Sequence, residues 1–144
     1  MQFFAVMDAL ARKCGLSGVE PRDSLSLLFD GQHDVTFQCN RSDRSVLMFT
    51  EICDVTDMRG SWAEMLLQAS LLGAQTEGAA FAVSSRLGKV ILWKRYDDAF
   101  EDESALEQAI NTFLTAVITW KDRLAKQNAD GASSGIPESG NLAV

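Results

Sequence analysis

Residues 61–96 read SWAEMLLQASLLGAQTEGAAFAVSSRLGKVILWKRY. They place a helix, a stop and a hairpin in a row. Ser61 and Glu64 have capping-box spacing ahead of an apolar run, so a helix is predicted over 62–72. Gly73 marks its end. Two strand-like runs follow, Gly78 to Ser85 and Lys89 to Tyr96, around a turn with Gly88. The helix is apolar nearly all round. Trp62, Met65, Leu66, Ala69 and Leu72 can face its own sheet, while Leu67, Leu71 and Ala74 remain on another side. A helix apolar on two faces must be buried on two faces. In a short chain the second cover is another chain, most simply a symmetric homodimer. The alternative is a helix buried centrally in one protomer.

Upstream, Leu25 to Asp30 and Val35 to Cys39 flank a turn begun by Asp30-Gly31, which predicts a hairpin. Val46 to Val55 is a third strand, dense in Val, Leu, Met, Phe and Ile. Before these strands, Phe3, Val6, Met7, Leu10 and Cys14 recur at helical spacing over 2–14. Downstream, Ser104 and Glu107 repeat the capping-box pattern. Leu106, Ile110, Phe113, Val117, Trp120 and Leu124 then line one helical face. From Gln127 the pattern stops, and Gly, Ser, Ala and Pro137 predict a flexible C-terminal tail over 127–144. The fold class expected is therefore α+β. Residues 1–126 form one two-layer domain, an antiparallel sheet with three helices in the order α-β-β-β-α-β-β-α.

The chain has 144 residues, with 13 Lys and Arg against 20 Asp and Glu, for a net charge of −7. A nucleic-acid surface needs clustered basic residues to displace counterions. Here they are scattered and outnumbered, so neither nucleic acid nor anionic membrane is an expected partner. No apolar run reaches the ~20 residues that span a bilayer. The first ten residues lack a basic leader and a clear cleavage site, so no signal peptide is predicted. Cys14, Cys39 and Cys53 are odd in number and form no Cys-x-x-Cys pair, which suits a reducing cytoplasm.

A search for chemistry returns little. His33, the single histidine, sits beside Gly31 in a predicted turn and reads as a turn residue, without a signposted nucleophile or acid. The cysteine spacings match no common zinc pattern. Asp97, Asp98, Glu101, Asp102 and Glu103 lack the alternation of a calcium loop and instead suit a helix N-terminus. Gly73 to Gly78 lacks the Lys of a phosphate loop. No catalytic, metal or cofactor-binding residue is nominated, and the chain is not read as an enzyme. The surplus is apolar. Leu27 and Leu28 are adjacent, as are Ile91, Leu92 and Trp93, so both sheet faces carry apolar residues and one needs a further cover.

Taken in order, these elements resemble the class I chaperones of bacterial type III secretion, the family that includes the chaperone of the Tir effector. The resemblance covers about residues 2–126. It is carried by Leu27-Leu28-Phe29-Asp30, the turn at Gly31, Val35-Thr36-Phe37, the run Met65 to Gly73, the hairpin strands Gly78–Val83 and Val90–Trp93, and the helix ending near Trp120. It implies a homodimer in a bacterial cytoplasm, without ATP hydrolysis. It also implies binding of an effector's N-terminal chaperone-binding segment in extended form and delivery to a secretion ATPase. On this reading Trp62, Met65, Leu67, Ser70, Leu71 and Ala74 form the dimer interface. Phe3, Phe4, Met7 and Leu10 contact the effector. A YbjN-like regulatory domain that binds a folded partner is the alternative function.

Overall fold

A computed structural model describes residues 8, 12, 24–40, 45–97, 100 and 102–142; for 39, 40 and 128–142 it describes the backbone alone. Five strands form one antiparallel sheet: β1 (Ser24–Phe29), β2 (His33–Asn40), β3 (Ser45–Asp54), β4 (Ala80–Ser84) and β5 (Lys89–Tyr96). Among the described residues two continuous α-helices accompany them, α1 (Trp62–Ala69) and α2 (Glu103–Leu142), with 3-10 turns at Val55–Asp57 and Leu71–Gly73. The α+β class and the antiparallel pairing agree with the sequence reading. The described residues hold two α-helices where three were expected. The predicted helix over 2–14 falls almost wholly outside them. Asp8 and Arg12, its two described residues, are helical and joined by an i,i+4 ion pair of 3.0 Å.

Spatial order is β1-β2-β3-β5-β4, so β5 inserts between β3 and its own hairpin partner. Sequence order does not set this, because β4 and β5 return to the sheet only after α1 has crossed. Asp30 and Gly31 turn the first hairpin with φ of 53° and 66°, the sign a type I′ turn demands, and the Gln32 N–H donates to the Phe29 carbonyl. His33 is the first residue of β2, paired with Phe29, and not a turn residue. In the second hairpin the Leu87 and Gly88 N–H groups donate to the Ser84 hydroxyl and carbonyl.

Alternation sends Leu27, Val35, Phe37, Val46, Met48 and Leu92 to one face, where α2 buries them beneath Leu106, Ile110, Phe113 and Val117. Further along the same face, Trp62, Leu66 and Ala69 of α1 meet Val90, Trp120 and Leu124. All six residues predicted for the apolar stripe of α2 are buried. The N-cap of α2 differs from prediction. The Asp102 carboxylate accepts the Ala105 N–H at 2.8 Å, so the helix begins two residues earlier than a Ser104 cap would give. At α1, Ser61 occupies the cap position without a side-chain capping bond.

Helix α2 runs to Leu142, past the stop predicted near Gln127. Its last buried side chain among the described residues is Leu124.

Candidate functional site

Helix α1 ends at Ala69, three residues short of the predicted end at 72. The cause is Ser70. Its hydroxyl donates back to the Leu66 carbonyl at 2.8 Å and accepts the Phe81 N–H of β4 at 2.9 Å. Chain direction then reverses. Gly73 donates to the Ser70 carbonyl, Ala74 to Leu71 and Gln75 to Ala69. Extrapolating helical faces beyond Ala69 therefore fails. Leu72, expected against the sheet, has φ +54° and is 96% exposed.

The six residues expected at a dimer interface separate. Trp62 is buried in the core, and Met65 packs partly against the same cluster. The Ser70 hydroxyl is engaged within the protomer. Leu67 (69%), Leu71 (66%) and Ala74 face outward. The resulting outer surface is a leucine patch beside β4. The residues expected to contact an effector, Phe3, Phe4, Met7 and Leu10, lie outside the described residues.

A second apolar surface lies on the sheet face opposite α2. Register aligns Ser26, Thr36, Phe49, Trp93 and Ala80 in one row across all five strands. The Ser26 and Thr36 hydroxyls bond at 2.8 Å at one end of that row. Leu47, Phe49, Ile91 and Trp93 are half-buried, so an apolar band crosses the middle of the sheet. The adjacent pairs behave as predicted. Leu27 and Leu92 are buried, while Leu28 is exposed and Ile91 and Trp93 lie on the opposite face. Gln32, Asp34, Thr36, Phe49, Thr50 and Glu51 of the sheet, with Lys121 of α2, line a groove of about 300 Å³.

The two edges of the sheet differ. On the outer edge of β4 the Phe81 N–H donates to the Ser70 hydroxyl. β1 is the terminal strand at the other side. Near the end of β3, Lys89 pairs with Asp54. Burial first, then the Asp57 and Asp54 carboxylates, push the Cys53 thiol up from its ordinary pKa, against the lesser effect of Lys89. This keeps the sulfur protonated, the opposite of an activated nucleophile. Among the described residues no three His, Cys, Asp or Glu side chains gather as a metal site. No described helix is long and apolar enough to cross a membrane. Leu72 was missed by sequence reasoning because its exposure follows from a long-range bond, Ser70 to Phe81, that no local periodicity signals.

A helix-backed antiparallel sheet with two apolar surfaces has the form of a protein-binding domain. The profile of the Tir chaperone protein (CesT) family matches residues 6–121, and the chain belongs to that family. No curated protein matches it in sequence. Solved structures share the fold. A chain of the ExsC-ExsE complex superimposes with a TM-score of 0.71 at 19% identity, covering 86% of this chain and 97% of its own. A chain of the HopA1-SchA chaperone-effector complex gives 0.67 at 12% identity, covering 82% and 91%. The Yersinia pestis type III secretion chaperone SycH, solved with a fragment of YscM2, gives 0.61 at 13% identity, covering 81% and 98%.

Proposed function

We propose that the chain is a type III secretion chaperone. It holds the N-terminal chaperone-binding segment of a secreted effector in extended form and keeps it soluble and competent for secretion. The family match over residues 6–121 carries this reading. The mechanism is holding and not catalysis. An extended client can add to the β1 edge through main-chain hydrogen bonds, which are tolerant of sequence. Its apolar side chains can rest on the Leu47, Phe49, Ile91 and Trp93 band, which supplies selectivity. Phe3, Phe4, Met7 and Leu10 are further proposed client contacts.

The working unit is proposed to be a homodimer in a bacterial cytoplasm, joined through Leu67, Leu71 and Ala74 with Met65 beneath them. It delivers the client to a secretion ATPase. Trp62 and Ser70 contribute by fixing α1 and not by contact across the interface. Residues 127–144 stand apart from this unit as a proposed tail.

Co-expression with tagged N-terminal segments of effectors from the same genome tests the function. One segment should co-purify in soluble form and become insoluble without the chain. Retention of a folded regulatory partner, with no effector segment retained, would replace the chaperone reading with the YbjN-like one.

A further inference from the structure

We propose that Leu72 is a pre-set anchor for a second copy of this chain, held in place by a glycine clasp. The role presupposes the dimer proposed above. Two features of Leu72 are each unfavourable in an isolated protomer. Its φ of +54° lies in the left-handed region that side chains other than Gly and Asn seldom enter. Its side chain is 96% exposed. The chain reversal alone does not call for leucine. Glycine or asparagine takes positive φ with less strain, and a polar side chain suits water better.

The loop around Leu72 is fixed. A Cβ on Gly73 would stand 2.5 Å from the Cα of Gly78, so the two backbones touch where only glycine fits. The Gly78 N–H donates to the Gly73 carbonyl at 3.1 Å, and the buried Thr76 hydroxyl donates to the Ala79 carbonyl. Trp120 Nε1 donates to the Gln75 carbonyl at 2.9 Å, and Lys94 Nζ to that of Glu77 at 3.0 Å. The loop is thus tied to α2 and to β5. An apolar side chain presented on a rigid support loses little freedom on binding, which is what an interface anchor needs.

A second copy is the occupant that charge favours. The chain carries −7 overall, yet Glu64 is the single charged residue from Trp62 to Thr76. Two acidic protomers therefore bring fewer like charges together here than elsewhere on their surface. Leu67, Leu71 and Leu72 make an apolar patch on the order of the few hundred Å² that marks an interaction surface. A two-fold axis would bring that patch onto its own copy.

Leu72→Asn tests the role, because asparagine tolerates the same φ but removes the apolar contact. Sedimentation equilibrium of the full chain should show a dimer for wild type and at least tenfold weaker association for the variant. Its thermal midpoint, measured at concentrations where both are monomeric, should match or exceed that of wild type. Leu28→Asn, on the far edge strand, should dimerise like wild type. Unchanged dimerisation of Leu72→Asn beside a dimeric wild type overturns the anchor and leaves the dimer standing. A lower midpoint for the variant overturns the strain assignment, and equal weakening by Leu28→Asn removes its specificity. A monomeric wild type overturns anchor and dimer together.

Discussion

Replacing Trp120 with phenylalanine should loosen the connection between α2 and the loop after α1. The indole is buried, stands edge-on to Phe81 at 5.1 Å between ring centroids, and lies under the Arg123 guanidinium at 4.5 Å. Phenylalanine keeps one ring against Phe81 but has no N–H for the Gln75 carbonyl. Losing that part-buried bond costs about 1 kcal/mol. The missing part of the indole removes two or three carbon-sized groups at about 0.8 kcal/mol each. The variant should therefore lose about 3 kcal/mol, somewhat less than the cost of full truncation to alanine. At a urea slope of about 1–3 kcal/mol/M, the midpoint falls by about 1 M or more with the slope unchanged. Hydrogen exchange should accelerate more at the Gly73, Gly78 and Ala79 amides than at those of Phe37 and Met48. A midpoint shift under about 0.3 M at such slopes, or uniform acceleration across the sheet, would refute the assignment of Trp120 as the local tie.

Leu71→Asp should alter the folded protomer by no more than about 0.5 kcal/mol, since its site is exposed, but should abolish the dimer. Light scattering after size exclusion reads this directly; an intact dimer removes Leu71 from the interface. Asp102→Ala should cost about 1 kcal/mol by freeing the Ala105 N–H, whereas Ser104→Ala should cost less, with both compared by urea midpoint. The Cys53 thiol has its pKa raised by burial and then by Asp57 and Asp54, so the unfolded chain loses its thiol proton first as pH rises. The stability linked to this proton is complete below the ordinary thiol pKa and declines above it. Alkylation of Cys53 near neutral pH should accordingly be slower than that of a model thiol, and an equal rate would contradict the shielding. Burial likewise raises the Tyr96 phenol, so its ultraviolet titration should be centred above that of free tyrosine.

The strands and the α2 stripe were legible because each is written in local alternation or periodicity. Val35-Thr36-Phe37 alternates and is buried, half-buried and buried in turn, and Leu106 through Leu124 repeat at helical spacing. Failures arise where a distant group decides. Ser104 has the residue type and spacing of a cap, but Asp102, two residues upstream, takes the bond. Helix α1 looks continuous through Leu72 because nothing local stops it, yet Ser70 binds Phe81, eleven residues ahead, and the chain turns. The leucine surface was thus anticipated at Leu67 and Leu71 and missed at Leu72. Trp62 and Ser70 were assigned to that surface because the family resemblance places the whole second helix there, whereas their own contacts run into the protomer.

Insertion of β5 between β3 and β4 also governs how the polypeptide reaches its native state. β1, β2 and β3 connect through short links and can pair as soon as they leave the ribosome. β3 then waits with its second edge vacant, since register joins Val46 to Tyr96 across the whole of α1 and the second hairpin. Closing so long a loop precedes any reward from the pairing, so this step should dominate the folding time. During that interval Met48 and Val46 lack Leu92 and the α2 residues that bury them, so the nascent chain is briefly as prone to aggregation as an unfolded client.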